Sequence, residues 1–528
     1  MQTTKIPRAA TPASVGISQK ILSEMLQDVI DSGLDLHSIF VMRHGKVAWK
    51  DFRSPYGPRD PHVMFSVSKS ITSLAVGFAV AEGRLALDDK VAELVPELRG
   101  KEGDPYLERL TIRHLLTMTS GKEVSYVTDK TKKQWLRDYA DARWGYAPGE
   151  GWNYCDYNIY LLCAILTRVC GESESVTDFL MPRLFEPLGI ARPFWENDGH
   201  GVEAGGWGLY LPTEDFAKIA LCCTQGGVYE GRRVIPAEYL AQATAAQAQQ
   251  NQEGDTHGNN GYGFCFWMNT VPDSFRFDGV FSQLGLCFPA YDACVVTTAG
   301  EIFSQDMLDA LFRHLPSLFT DDSNETPDIP RLPAYPALEP APRSRALEEN
   351  LEGRTIHFPV GAQQVPKAMG FPVSVMPMTV FFMSADKAGN IDRVRLRFQE
   401  ETLKFSWSEG LERNTVLCGM DGHARKCKIT LGGIDFTVTC SAAWEGTKKL
   451  HIWIRPLNSV AERRLTFTFR GRQVRMLPRS EPTMDKMGVF AGPHAAQMAP
   501  NPLLGNFIIS AMDKIALVLE PIHIGFLR

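Results

Sequence analysis

One stretch decides the fold of this chain: Phe65-Ser66-Val67-Ser68-Lys69-Ser70-Ile71-Thr72-Ser73-Leu74. From Ile71 to Ala79 the apolar residues recur at i, i+3, i+4, i+7 and i+8, which predicts a helix with one buried face. Gly83 follows this pattern and predicts the end of the helix. Ser66 and Lys69 are three residues apart, so their side chains lie on one side of the first turn.

This Ser-Lys pair predicts nucleophilic chemistry. A serine hydroxyl becomes a strong nucleophile only when a neighbouring base accepts its proton. Lys69 is such a base if burial or the positive end of the helix dipole depresses its pKa. The N–H groups at the helix start point toward the charge that forms beside Ser66. The motif alone is weak, because Ser384 and Lys387 repeat the spacing in a stretch that predicts a turn. The alternative for Ser66 is a helix N-terminal serine with a solvated lysine.

Length and composition limit the class of protein. The 528 residues predict two or three domains, and the net charge of −6 argues against a nucleic-acid partner. The first residues lack an apolar segment and no run of 18 apolar residues exists, so we expect a cytoplasmic protein without a membrane span. The eleven cysteines form no C-x-x-C pair or Cys/His cluster, which predicts buried reduced thiols and no metal site.

The order of the predicted elements indicates two domains. Residues 1–320 are predicted to form one sheet from strands near both ends, with helices inserted between them. Thr111 and Thr213 are the predicted N-caps of two of these helices. Six prolines make residues 321–344 a linker or an extended strap. Residues 345–528 alternate with period two and predict a smaller β-rich domain, in which alternating arginines such as Arg393 and Arg395 lie on a solvated strand face.

Several motifs together resemble the penicillin-recognising serine hydrolases, the family of class C β-lactamases, D-alanyl-D-alanine peptidases, family VIII-type esterases and nylon-oligomer hydrolases. Their order and rough spacing agree over about residues 15–320, and each motif alone is weak. The resemblance implies an α+β, β-lactamase/transpeptidase-like fold, an antiparallel sheet flanked by helices with a helical insertion. It assigns nothing to the β-rich domain. The matching stretches are residues 65–69, 110–121, 148–154 and 205–215.

The resemblance also implies further site residues. The family places a tyrosine from a Y-x-N motif beside the serine and lysine, and the matching triplet here is Tyr154-Cys155-Asp156, with Asp in place of Asn. The alternative for Tyr154 is a loop tyrosine that packs on Trp152.

The family's Lys/His-Thr/Ser-Gly motif is matched best by Phe277-Asp278-Gly279, the least certain of these alignments. Gly279 is then expected to let substrate approach the strand. The Val280 N–H is expected to join that of Ser66 in an oxyanion hole. Phe277 replaces the cation that binds a substrate carboxylate. The alternative is an ordinary strand-end glycine.

The expected function is therefore an acyl-enzyme serine hydrolase that acts on a small ester or amide without that carboxylate. Ser66 is the predicted nucleophile, Lys69 and Tyr154 move protons, and no metal or organic cofactor is implied. Three alternatives stay open: a β-lactamase or D-Ala-D-Ala carboxypeptidase, an acyltransferase that uses the same residues, and a non-catalytic binding protein on this fold. The sequence leaves the oligomeric state open.

Asp156 creates a conflict that the sequence does not resolve. An ionised carboxylate accepts hydrogen bonds but does not donate one to a substrate carbonyl. Near Lys69 it favours the ammonium form and raises the lysine pKa. We therefore expect Tyr154 to be the main base beside a cationic Lys69, and Asp156→Asn to keep activity. The alternative is a substrate whose amine or N–H donates to Asp156.

Overall fold

The computed structural model divides the chain into two compact units, Met1–Pro333 and Ala334–Arg528. The division lies inside the proline-rich segment. The residues that the structure describes are 5–99, 104–123, 134–171, 175–198, 200–250, 256–320, 324–359, 374–377, 390–483, 485–487 and 520–528. The second S-x-x-K match, at Ser384 and Lys387, lies outside them.

The first unit is built on an antiparallel sheet that joins both ends of its sequence. Its strand order is β2-β1-β11-β10-β9-β8. Strand β1 pairs with β2 and with β11, so the early hairpin lies beside the late strands, as the sequence predicted. The strands of this unit are β1 (Leu36–Arg43), β2 (Lys46–Phe52), β3 (His62–Val63), β4 (Phe194–Trp195), β5 (Leu209–Leu211), β6 (Val228–Tyr229), β7 (Arg232–Arg233), β8 (Trp267–Met268), β9 (Phe275–Gly279), β10 (Gln283–Phe288) and β11 (Ala293–Ala299).

Helices cover both faces of this sheet. One face packs its leucines, isoleucines and valines against α1 and α10, and the other contacts α8 and α2. In the described ranges no helix is both long and apolar enough to cross a membrane. The helices are α1 (Gln19–Asp31), α2 (Val67–Ala81), α3 (Val91–Leu94), α4 (Ile112–Leu116), α5 (Trp135–Asp141), α6 (Asp156–Val169), α7 (Val176–Leu180), α8 (Thr213–Thr224), α9 (Ala237–Ala243) and α10 (Ser304–Phe312).

Local sequence explains most helix boundaries. The Thr111 side chain caps α4 and takes part in a capping box with His114, as predicted for Thr111. Gly83 lies just past α2 with φ +68°, a left-handed conformation that glycine adopts without strain. Thr213 is not the N-cap of α8, because Pro212 holds that position. The Thr213 hydroxyl instead bonds Ser38 at 2.8 Å, which ties the helix to the sheet.

The first part of the proline-rich segment is a strap on the first unit. Its backbone carbonyls accept hydrogen bonds from Gln19 and Ser23 of α1. The Asp51 carboxylate of β2 accepts the N–H of Leu332 at 2.8 Å and pairs with Arg331 at 3.1 Å. Proline excludes regular helix here, so side chains of the first unit satisfy the extended backbone.

The second unit is a ten-stranded antiparallel sheet that closes on itself. Its order is β15-β14-β13-β12-β21-β20-β19-β18-β17-β16, and Gly419 of β15 also pairs with Ser441 of β17. Buried apolar residues alternate with exposed ones, and Arg393, Arg395 and Arg397 are exposed, as predicted. The elements are α11 (Arg345–Leu351), β12 (Ile356–His357), β13 (Ile391–Phe398), β14 (Thr402–Glu409), β15 (Glu412–Gly419), β16 (Arg425–Leu431), β17 (Ile434–Glu445), β18 (Lys449–Pro456), β19 (Glu462–Arg470), β20 (Gln473–Glu481) and β21 (His523–Leu527).

Candidate active site

Ser66 lies at the entrance of α2. The chain reaches it through Phe65, whose φ of +45° is unusual for a residue with a side chain. Ser66 occupies the N-cap position, yet its side chain caps no backbone N–H. The half-buried hydroxyl is therefore free for other partners.

Lys69 is the main partner of Ser66. Its Nζ donates to Ser66 Oγ at 3.0 Å and to the Gly206 carbonyl at 2.7 Å, and it lies 2.6 Å from Asp156 Oδ1. Only 1% of the Lys69 side chain is exposed. Burial alone lowers the pKa of Lys69, but the charge of Asp156 and the contact with Tyr154 outweigh burial and raise it above its ordinary value. Tyr154 is a further hydrogen-bond partner, so four neighbours share the three hydrogens of the ammonium.

Asp156 is the first residue of α6, where the helix dipole favours a carboxylate. Its side chain is 2% exposed, and Oδ2 accepts no hydrogen bond from the described residues. Burial raises the pKa of Asp156, and the ion pair with Lys69 opposes that shift. The carboxylate is thus a buried acceptor with one oxygen on Lys69 and the other unsatisfied.

Tyr154 completes the polar cluster. Lys69 Nζ lies 4.7 Å from the centre of the Tyr154 ring. Burial raises the pKa of Tyr154 to about 12, although Lys69 and hydrogen bonds with Ser66 and Lys69 favour the phenolate. At neutral pH Tyr154 is therefore a phenol that carries its proton.

Tyr154 is part of a cluster of aromatic rings, which we call the aromatic wall. It consists of Trp152, Tyr154, Tyr262 and Trp267, whose neighbouring ring centres are 5.1 to 6.3 Å apart. Trp152 also lines a cavity of about 360 Å³. Most of these rings meet edge to face, so the aromatic wall is a packed apolar cluster beside the polar one.

The structure corrects the expectation about Phe277 and gives Gly279 of β9 a packing role. Phe277 is fully buried, with its ring 4.9 Å from Phe266 and 5.6 Å from Phe216, so it belongs to the core and contacts no substrate. A Cβ on Gly279 would lie 2.5 Å from the Met64 carbonyl oxygen. Glycine is therefore needed where β9 packs on the entrance of α2, and its expected role in admitting substrate stays a prediction.

Two backbone donors remain at this junction. In the described ranges the N–H groups of Ser66 and Val280 donate to no acceptor, and Val280 directly follows Gly279, which packs against the start of α2. Unpaired N–H groups beside a nucleophile are what an oxyanion hole provides.

Sequence reasoning missed an ion pair on β9. Arg276 is 2% exposed and donates to Asp278 at 2.8 Å, with its guanidinium 5.4 Å from the Trp267 ring centre. The period-two alternation of the strand could have placed Arg276 and Asp278 opposite Phe277. Gly206, an acceptor of Lys69, was also missed. Across the described parts, no group of three or more His, Cys, Asp or Glu side chains is placed to hold a metal ion.

Comparison with known proteins gives the family. The chain is 26% identical to a 6-aminohexanoate-dimer hydrolase of Paenarthrobacter ureafaciens, over 46% of this chain and 66% of that protein. It is 29% identical to the esterase EstB of Burkholderia gladioli, over 34% of this chain and 53% of that protein. The chain thus spans less than two thirds of the length of these curated relatives. A solved penicillin-binding protein homologue from Caulobacter crescentus aligns at 17% identity and a TM-score of 0.47, over 58% of this chain and 99% of that one.

A family model described as Beta-lactamase matches residues 29–301, just over half of the 528 residues. This range contains the sheet of the first unit, α2 and every polar group placed around Ser66. The relatives with printed activities are named as hydrolases and esterases. The protein therefore belongs to the beta-lactamase family, with the mixed helix-and-sheet fold of that family in its first unit.

Proposed function

We propose that this protein is a serine hydrolase that forms an acyl-enzyme at Ser66 with an ester or amide substrate. The observation that carries the proposal is the 3.0 Å contact between Lys69 Nζ and Ser66 Oγ, in a pocket where Lys69 is 1% exposed. A nucleophile in contact with a buried group that handles protons is typical of covalent catalysis.

The proposed reaction has two halves. Ser66 Oγ attacks the carbonyl carbon, and the N–H groups of Ser66 and Val280 stabilise the oxyanion. Lys69 and Tyr154 transfer the proton of Ser66 to the leaving alcohol or amine, which departs and leaves an acyl-enzyme. A water molecule then attacks the acyl carbonyl, and the same groups return its proton to Ser66.

The charges of the site favour a substrate without a carboxylate near the scissile bond. Lys69 pairs with Asp156, and Arg276 pairs with Asp278. Each cation is thus matched by an anion, and Phe277 supplies no charge. Two of the relatives are named as a 6-aminohexanoate-dimer hydrolase and an esterase, which supports an ester or amide substrate.

Covalent labelling tests the nucleophile. A fluorophosphonate is expected to add once to the folded protein, and peptide mapping should place it on Ser66. Ser66→Ala should remove the label without unfolding the protein. Stoichiometric labelling of another residue, or none on the folded wild type, would show that the proposal is wrong.

A substrate panel tests the specificity. We expect turnover of p-nitrophenyl esters or amino-acid amides, and none of a chromogenic cephalosporin or a D-Ala-D-Ala peptide. Cephalosporin or D-Ala-D-Ala turnover with inert esters and amides would favour a β-lactamase or a carboxypeptidase instead. Adding an alcohol during ester turnover shows whether the acyl group also passes to acceptors other than water.

A further inference from the structure

We propose that Asp156 accepts a proton through Lys69 when Ser66 attacks, and holds it until the leaving group is protonated. This inference rests on the proposed hydrolase function and adds a role for the aspartate. Asp156 acts through Lys69, so it sets the protonation and position of that lysine rather than contacting the substrate.

The contacts of Lys69 restrict where the proton goes. Its Nζ lies 3.0, 2.7 and 2.6 Å from Ser66 Oγ, the Gly206 carbonyl and Asp156 Oδ1, and Tyr154 is a further hydrogen-bond partner. An ammonium accepts no further proton unless it releases one at the same time. Of the two other acceptors, the amide carbonyl of Gly206 is a very weak base, and the carboxylate is the basic one.

Protonation states exclude the neighbouring tyrosine. Tyr154 carries its own proton at neutral pH, because its pKa is about 12. Burial raises the pKa of Asp156, which makes its carboxylate a stronger base than an exposed one. Its Oδ2 has no hydrogen-bond donor, so the carboxylate lacks the second stabilising contact that a buried anion needs. A proton on Asp156 removes that unfavourable buried charge.

The step balances in atoms and charge. The Ser66 O–H bond breaks as Oγ forms a bond to the substrate carbonyl carbon, whose C=O electron pair becomes the oxyanion. The proton passes to Lys69 Nζ while another Lys69 hydrogen passes to Asp156 Oδ1. Lys69 remains an ammonium, Asp156 becomes a carboxylic acid, and the negative charge has moved from Asp156 to the oxyanion.

The surroundings of Asp156 define the expected pH dependence. The titratable groups that face it are Lys69 from α2, Tyr154 and Cys155 from the loop before α6, and Tyr262 from the aromatic wall. Near neutrality the tyrosines and the thiol are uncharged, since burial raises the pKa of each. Activity should therefore rise with pH as Asp156 ionises, above the ordinary range of an aspartate.

The decisive measurement is the rate at which a fluorophosphonate labels Ser66. Loss of fluoride needs no proton donor, so this rate reports on deprotonation of Ser66. At pH 7, Asp156→Asn should slow labelling by at least about 10²-fold, the low end of general acid–base effects. The remaining rate should climb with pH, because Lys69 without its anion becomes a base once it loses a proton. A rate within a few-fold of wild type at pH 7 would overturn the proposal and restore the expectation that Asp156→Asn is active.

The chain offers a matched control. Asp215 of α8 also pairs with a buried lysine, Lys218, at 2.8 Å, and that lysine also donates to a glycine carbonyl, Gly189. Asp215→Asn should destabilise the fold in the same way and leave the labelling rate unchanged. Equal losses of labelling in both variants would reduce the role of Asp156 to stability.

A second measurement needs no variant. In mixtures of H₂O and D₂O, two protons that move in one step give a curved dependence of the wild-type labelling rate on deuterium content. A straight line means one moving proton and contradicts the relay, even if Asp156→Asn fails to fold. If Asp156→Asn labels at nearly the wild-type rate, or if the deuterium dependence is linear, the relay is wrong but Ser66 of the wild type is still labelled. If the proposed function is wrong, Ser66 is not labelled at all.

Discussion

Tyr154→Phe should distinguish protonation of the leaving group from deprotonation of Ser66. The pKa of Tyr154 is about 12, five units above neutral pH. At 1.36 kcal/mol per unit, a phenolate at pH 7 costs about 7 kcal/mol, so Tyr154 is better placed to give a proton than to take one. Its proton is then expected to reach the leaving group.

Two esters of one acyl group measure this effect. An alkyl ester releases a strongly basic alkoxide that needs the proton, and Tyr154→Phe should lower its kcat/KM by about 10² to 10⁴-fold. A p-nitrophenyl ester releases a weakly basic phenolate, so its loss should stay below about tenfold, under the low end of the same range. Tyr239→Phe is the control and should affect both esters equally. It removes a buried hydroxyl that hydrogen-bonds, at 2.9 Å, with Ser73 of α2, the helix that carries Lys69.

Any of three results would refute this reasoning. Equal losses for both esters would mean that Tyr154 does not protonate the leaving group. A wild-type kcat/KM that keeps rising tenfold per pH unit above neutrality would mean that the phenolate is the base. A nearly silent Tyr154→Phe beside an inactive Lys69→Ala would assign both proton transfers to Lys69.

Two further predictions concern stability and domain organisation. Lys122 is 3% exposed, and its Nζ donates to the carbonyls of Ala140 and Ala142 and lies 4.0 Å from the Trp144 ring centre. Burial lowers its pKa to about 8. The folded state disfavours the charged form of Lys122, so the cost of burying that charge is complete below pH 8 and disappears as the pH rises toward 10.5. Relative to Lys122→Met, the wild type should therefore gain up to about 3 kcal/mol of unfolding free energy across this pH range. Urea titrations that show a constant difference between the two proteins would contradict this prediction. Limited proteolysis should cut first within residues 321–344, and first cuts well inside 345–528 with that segment intact would count against the proposed boundary.

The sequence predicted those features that depend on local pattern. The i, i+3, i+4 spacing after Ser66 identified α2, and period-two alternation identified β13, β18 and β19. Predicted strands at both ends of residues 1–320 were enough for the mixed fold, because strands with buried faces must find partners in one sheet.

Features that depend on close tertiary packing were not predictable. The motif alignment put Phe277 beside substrate, but only the positions of Phe216 and Phe266 show that its ring fills the core. Thr213 has the sequence pattern of an N-cap, yet its hydroxyl is used by Ser38 on a strand 175 residues away. The contact of Lys69 with Asp156, at 2.6 Å, was expected only through the motif resemblance, because composition carries no record of residues that are distant in sequence.

The position of β21 within the closed sheet bears on how the second unit folds. Strand β21 lies between β12 and β20, with Leu527 opposite Ile356 and Phe526 opposite Gln473. β12 is the first strand of this unit and β21 is the last. Pairing them closes a loop of almost the whole unit, which has a large cost in chain entropy. Such non-local pairing folds slowly. Until β21 is in place, β12 and β20 are open edges at which a second chain can add a strand, so folding intermediates of this unit are the species most exposed to aggregation.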